Sequence, residues 1–169
     1  WKEYRGQLER AFQQKVHLGG RIGMALESAD LEIAPQLPWL ERLGNIPVLL
    51  RFGHHQGREQ WEKTLDLLEE LHVKGHTIMV AVMQDRRAVL EPESWREFLR
   101  FLIPRLSGKV TMVEVGRVLN RVKWGLHQLK DYAALLEPLA ELQRQHSEIS
   151  FSGPSCIDFE FQYVVGALD

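Results

Sequence analysis

At 169 residues, with 44% hydrophobic and 26% charged side chains, the chain carries enough apolar material for one globular unit with a core. A formal net charge of -2 gives no electrostatic reason to expect nucleic acid or an anionic membrane surface, and a single cysteine, Cys156, excludes an internal disulfide and a thiolate metal cluster. No apolar run approaches the roughly 20 residues that span a bilayer, no signal-peptide pattern opens the chain, and a start at Trp1 reads as a piece of a longer protein.

The apolar positions Tyr4, Leu8, Ala11 and Phe12 fall at helical spacing within 4–16. A strand follows over Arg21–Glu27, weakened by Gly23, and Pro35–Leu43 predicts a short helix bracketed by proline and Gly44. Ile46–Phe52 is a continuous apolar run of strand length. Gln60–His72 is then a helix with Trp61, Leu65, Leu68 and Leu71 on one face and Gly75 as its stop. Thr77–Met83 is the next strand, and Glu93–Leu106 a helix whose apolar face carries Trp95, Phe98, Leu99 and Leu102, introduced by Glu91-Pro92. After Gly108 a buried strand begins at Val110 and runs into a loop by Asn120. A helix over Asp131–His146, a strand over Ile149–Pro154 and the start of one more helix within Ile157–Leu168 complete the chain.

Strands that are apolar on both faces, separated by amphipathic helices, indicate an α/β fold with a parallel sheet covered by helices. A βα repeat of about 30 residues fits either an open doubly wound sheet or a (βα)8 barrel. No Gly-x-Gly-x-x-Gly or phosphate loop follows any strand, and Gly19-Gly20-Arg21-Ile22-Gly23 precedes one, as a turn does. Five candidate strands, in a fold that typically takes about 250 residues, point to a partial TIM barrel forming a single unit over 1–169.

Three features in order, the run Pro47–Phe52, the segment Glu114–Asn120 and the strand end Gly153-Pro154, carry a resemblance over 46–154. This region resembles the second through fifth strands of the glycosidase superfamily of (βα)8 barrels. The resemblance implies a Gly-Asn-Glu-Pro-Asn type of ending on the strand that begins at Val110, whose Glu protonates the leaving sugar. Gly116 and Asn120 fit that pattern, whereas Arg117 stands at the Asn position and Val118 at the Glu position. A valine can neither hold nor give a proton. The family's second catalytic carboxylate comes from a later strand that this chain does not contain, and glycoside hydrolysis normally needs both. No cofactor is implied.

In a barrel the C-terminal ends of the strands form the active face. That placement gathers Arg51, His54, His55, Gln84, Asp85, Arg86, Arg117 and Asn120 around one rim, with Trp124 on an overhanging loop. Arg51, His54, His55, Asp85, Arg117, Asn120 and Trp124 are the candidate sugar-binding residues. Adjacent loop histidines usually point in different directions, and further well-placed ligands are needed, so no metal is assigned to His54-His55. Asp85 with Arg86 and Arg87 reads as a solvated turn or a helix lead-in. Trp124 either stacks on a sugar ring or caps the hydrophobic rim.

Glu114 shares a parity with Met112 and Gly116. If that parity faces the barrel axis, Glu114 is a buried carboxylate in need of a partner, and Arg51 on the neighbouring strand is the candidate. Glu114 is also the one candidate acid. Asp158 and Glu160 would share a face on a strand but not on a helix, and after Gly153-Pro154 a loop and helix start is expected. Cys156 reads as a buried or loop thiol.

Three functions follow: a glycoside-hydrolase-like domain with a displaced acid, a non-catalytic relative that keeps a carbohydrate groove, and a structural barrel fragment. Sugar binding is the leading expectation, ahead of cleavage. Open sheet edges and an uncovered barrel interior predict association, either as a homo-oligomer or with the remainder of a parent chain. The partners expected are thus a carbohydrate and a second polypeptide, with neither nucleic acid nor membrane, and the expected setting is soluble and cytoplasmic.

Overall fold

A computed structural model describes residues 5–6, 9–10, 13, 22–28, 33–157 and 160–168. Most of the helix expected over 4–16 lies outside them, as does Arg21. Five strands form one sheet in the order β1-β2-β3-β4-β5, and every pairing is parallel. They are β1 (Met24–Ala25), β2 (Val48–Gly53), β3 (Ile78–Met83), β4 (Val110–Val115) and β5 (Ser150–Ser152). A doubly wound sheet reverses its strand order at a switch point; no reversal occurs among these strands.

The helices are α1 (Leu37–Leu43), α2 (Arg58–Val73), α3 (Arg86–Leu90), α4 (Pro92–Leu106), α5 (Leu129–Leu136), α6 (Leu139–Gln145) and α7 (Phe161–Leu168). The single helix expected over 131–146 is two, because Pro138 lacks the N–H a continuous helix needs and sits at the break between α5 and α6. The short α3 is the helix that the lead-in reading of Asp85-Arg86-Arg87 allowed. Asp85 starts it, accepting a hydrogen bond from the Ala88 N–H at 2.8 Å. β1 is shorter than expected, and its Gly23 marks a close approach, since a Cβ there would lie 2.7 Å from the Pro47 carbonyl oxygen.

One face of the sheet carries Val48, Leu50, Phe52, Ile78, Val80, Val82, Val110, Val113 and Val115, all buried in a single core with Leu68 of α2 and Phe98, Leu99 and Leu102 of α4. The register shifts between Ile78 and Met79, so that Val110 pairs with Ile78 and Met112 with Met79. The irregularity explains how Val110 and Val113, three apart, both face the core. The opposite face runs in rows: Leu49, Met79, Met112 and Ser150, then Arg51, Ala81, Glu114 and Ser152. It is the less covered side, with Met112 42% exposed and Leu49, Arg51, Met79 and Glu114 half-buried. Both faces carry apolar side chains, as expected, but the second is only partly covered and carries Arg51 and Glu114. Among the described residues no helix is long and apolar enough to cross a membrane.

Candidate functional site

The half-covered face gathers charge toward the C-terminal ends of β2 and β4. Arg51 and Glu114 lie in the same row, but Ala81 of β3 sits between them. Strands are about 4.8 Å apart, so the two Cα atoms are roughly 10 Å apart, and no ion pair joins them among the described residues. The expected Glu114–Arg51 pair is therefore corrected, because β2 and β4 are not neighbours. Glu114 instead accepts a hydrogen bond from the Ser155 N–H at 2.9 Å.

Arg117 completes the cluster. Its guanidinium lies 4.7 Å from the centroid of the Trp124 ring, and its Nη1 donates to the Met83 sulfur at 3.0 Å. Burial and then the neighbouring Arg51 charge hold its pKa below the ordinary arginine value, while Glu114 and Glu27 oppose the shift. Glu27, which follows β1, is thus a second carboxylate in this field. No motif in the sequence marks it; it closes the glycine-weakened stretch expected as a strand.

The loop carrying Arg117 and Trp124 is held from beneath by Gln84, which is 1% exposed. Gln84 Nε2 donates to the carbonyls of Arg117 and Trp124 at 2.8 and 3.0 Å, and its Oε1 accepts from the Arg117 N–H at 2.8 Å. Gly125 closes the loop against α3. With φ at +90° and an added Cβ 2.4 Å from the Arg86 backbone nitrogen, only glycine fits there. Trp124 Nε1 is shielded from solvent without an acceptor among the described residues. Val118 is 3% exposed and left-handed at φ 49°. That is a strained conformation for a β-branched residue.

Asn120 has a different task. Its Nδ2 donates to the Ile157 carbonyl at 2.6 Å and its Oδ1 accepts from the Ile157 N–H at 3.0 Å, so it ties the loop to the segment after β5. Beside it Arg121 pairs with Glu160 at 2.8 Å and holds that carboxyl below its usual range. Glu160 precedes α7, as the loop-to-helix reading expects; Asp158 lies outside the described residues. The partly buried Cys156 thiol is pushed up, first by burial.

His54, His55 and Asp85 form a second group, packed toward the helices rather than the Glu114 face. His54 follows β2, is 7% exposed, and meets the rings of Trp95 and Phe98 edge-on at 6.0 and 5.8 Å. Its Nδ1 lies 2.9 Å from Asp85 Oδ1 and its Nε2 lies 2.9 Å from Ser94 Oγ. His55 is exposed. A cleft of about 290 Å³ opens here, walled by His54, His55, Trp61, Asp85, Arg87 and Ser94. Ser94 carried no signal in the sequence: it is 40 residues from His54 and belongs to no motif. The single rim expected from the sequence is thus two groups.

Asp131, 6% exposed, anchors the loop's far side through Arg86 Nη1 at 2.8 Å and the His127 N–H at 2.9 Å. Burial pushes its carboxyl up, but the His127 N–H, Arg86 and Gln128 outweigh burial and hold it below the usual range. A depressed folded-state value contributes stability that is complete above the unfolded value of about 3.9 and is lost as pH falls through the folded value. Asp131→Asn should therefore melt below the parent at pH 7, with the gap closing in melts taken below about pH 4. A gap that stays constant down to the lowest pH would remove the charge from the explanation.

Comparison of the chain with protein-family models, curated proteins and solved structures finds no match.

Proposed function

We propose that this chain is a segment of a (βα)8 barrel of the glycosidase-superfamily kind, and that it binds carbohydrate at the C-terminal ends of its strands. The sequential strand order supports the barrel reading, because each added strand extends the sheet in one direction and keeps one face free to become a barrel interior. The observation that carries the binding reading is that Arg51 and Glu114 share that face while Arg117, bonded to the Met83 sulfur, lies over the Trp124 ring. Carboxylate and guanidinium groups hydrogen-bond sugar hydroxyls, and an indole face takes the C–H face of a pyranose. With Val118 in the acid position, cleavage would fall to Glu114 and a second carboxylate.

A glycan array probed with the chain, followed by calorimetric titration of any glycan retained, tests the reading. Trp124→Ala should weaken the interaction by about tenfold, the value of one lost stacking contact. An array that retains nothing, or a Trp124→Ala variant that binds as the parent does, defeats it.

A second reading, a structural segment that associates through the uncovered face, is favoured by the exposed Met112 beside half-buried Leu49 and Met79. Light scattering across a wide concentration range should then show a dimer or larger species. Met112→Lys should shift it toward monomer, and a monomer at every concentration removes this reading.

A further inference from the structure

We propose that Ser94, His54 and Asp85 form a nucleophile–base–orienting set that hydrolyses small carboxylic esters in the cleft between the start of α4 and the ends of β2 and β3. The proposal is independent of sugar binding, since this group lies on the helix side of the sheet. The connectivity is specific. Asp85 meets Nδ1 and Ser94 meets Nε2, each at 2.9 Å. Burial pushes Asp85 up, but the Ala88 N–H and then His54 outweigh it and keep the carboxyl below its usual range. An ionised carboxylate only accepts, so in the neutral imidazole Nδ1 carries the proton and Nε2 accepts from the Ser94 hydroxyl. The edges and faces of Trp95 and Phe98 hold the imidazole plane.

A purely structural histidine would be satisfied by the same two bonds. What it would not require is a cleft of about 290 Å³ whose wall includes Ser94, His54 and Asp85 together. The volume suits a short acyl group. Ser94 is the third residue of the 15-residue α4, so negative charge developing beside it lies at the positive end of that helix, and Arg87 stands on the same wall.

The chemistry balances without a further reagent. Ser94 Oγ bonds to the ester carbonyl carbon as its proton passes to His54 Nε2; the carbon–oxygen bond to the alcohol then breaks, and that proton leaves with the alcohol. Water adds to the acyl-serine, giving one proton to Nε2. Collapse releases the carboxylic acid and returns that proton to Ser94 Oγ. Asp85 is a positioning residue throughout.

The test uses p-nitrophenyl acetate as substrate and a fluorophosphonate as covalent probe on the whole chain, with circular dichroism confirming that each variant is folded. Expected are one phosphonyl adduct on the peptide containing Ser94 and a turnover rate that falls by about 100-fold or more in Ser94→Ala. Asp85→Asn keeps a capping acceptor for α3 and should lower kcat with KM unchanged, the mark of lost orientation. A folded parent that takes up no probe overturns the proposal. So does an adduct, or a turnover rate, that persists in Ser94→Ala.

Discussion

Replacing Trp95 by alanine should remove about 3–5 kcal/mol of folding stability, the range for truncating a large buried aromatic. Trp95 is 1% exposed and lies 5.3 Å from Phe98, ring to ring. Its Nε1 donates to the Leu135 carbonyl at 3.0 Å, so it joins α4 to α5 by a hydrogen bond as well as by packing. Alanine leaves a cavity, an unmet carbonyl on α5 and an unsupported His54 ring. Against a typical domain stability of about 5–15 kcal/mol, the loss is a large share of the whole. Urea unfolding should show a lower midpoint with the same slope. Trp39→Ala is the control: Trp39 is 59% exposed, and its removal should cost within about 0.5 kcal/mol. Equal losses in the two variants would mean that α4 is not packed as described.

The helices and strands were legible because their signals are local. Trp61, Leu65, Leu68 and Leu71 mark the α2 face at helical spacing, β3 is an unbroken apolar run, and β2 and β4 are apolar apart from Arg51, Thr111 and Glu114. The break at Pro138 has a local sign as well, since proline cannot continue a helix, although a single helix over 131–146 was expected. Side-chain partners were not legible. The Glu114–Arg51 pair was at odds with the expected barrel itself, whose sequential strand order puts β3 between β2 and β4. The pairing of Ser94 with His54 spans 40 residues and joins a helix start to a strand end. Adjacent loop residues also part company: His54 turns inward and His55 outward, while Arg51, three residues earlier, belongs to the opposite face. Strand periodicity stops where the strand stops, so the rim positions beyond it could not be sorted by parity.

Gln84→Leu should produce the second large loss, about 3 kcal/mol, and should act through the loop rather than the core. The side chain is 1% exposed and bonded three ways to the backbone at Arg117 and Trp124. Leucine has nearly the same size, so little volume changes, but two carbonyls and one N–H lose their partners. Each buried group left unmet costs about 1–3 kcal/mol, reduced where the loop can shift to admit water. That shift carries the functional consequence. Gln84 is what sets Arg117 over Trp124, so a loosened loop disperses the candidate sugar site while the sheet stays intact. Hydrogen exchange should therefore quicken at the Arg117 N–H and across residues 117–124, with β2 and β3 still protected. Glycan binding should fall at least as far as in Trp124→Ala. Unchanged exchange at Arg117 would show that the Val118–Gly125 segment holds itself in place, and the site would then have to be explained without Gln84.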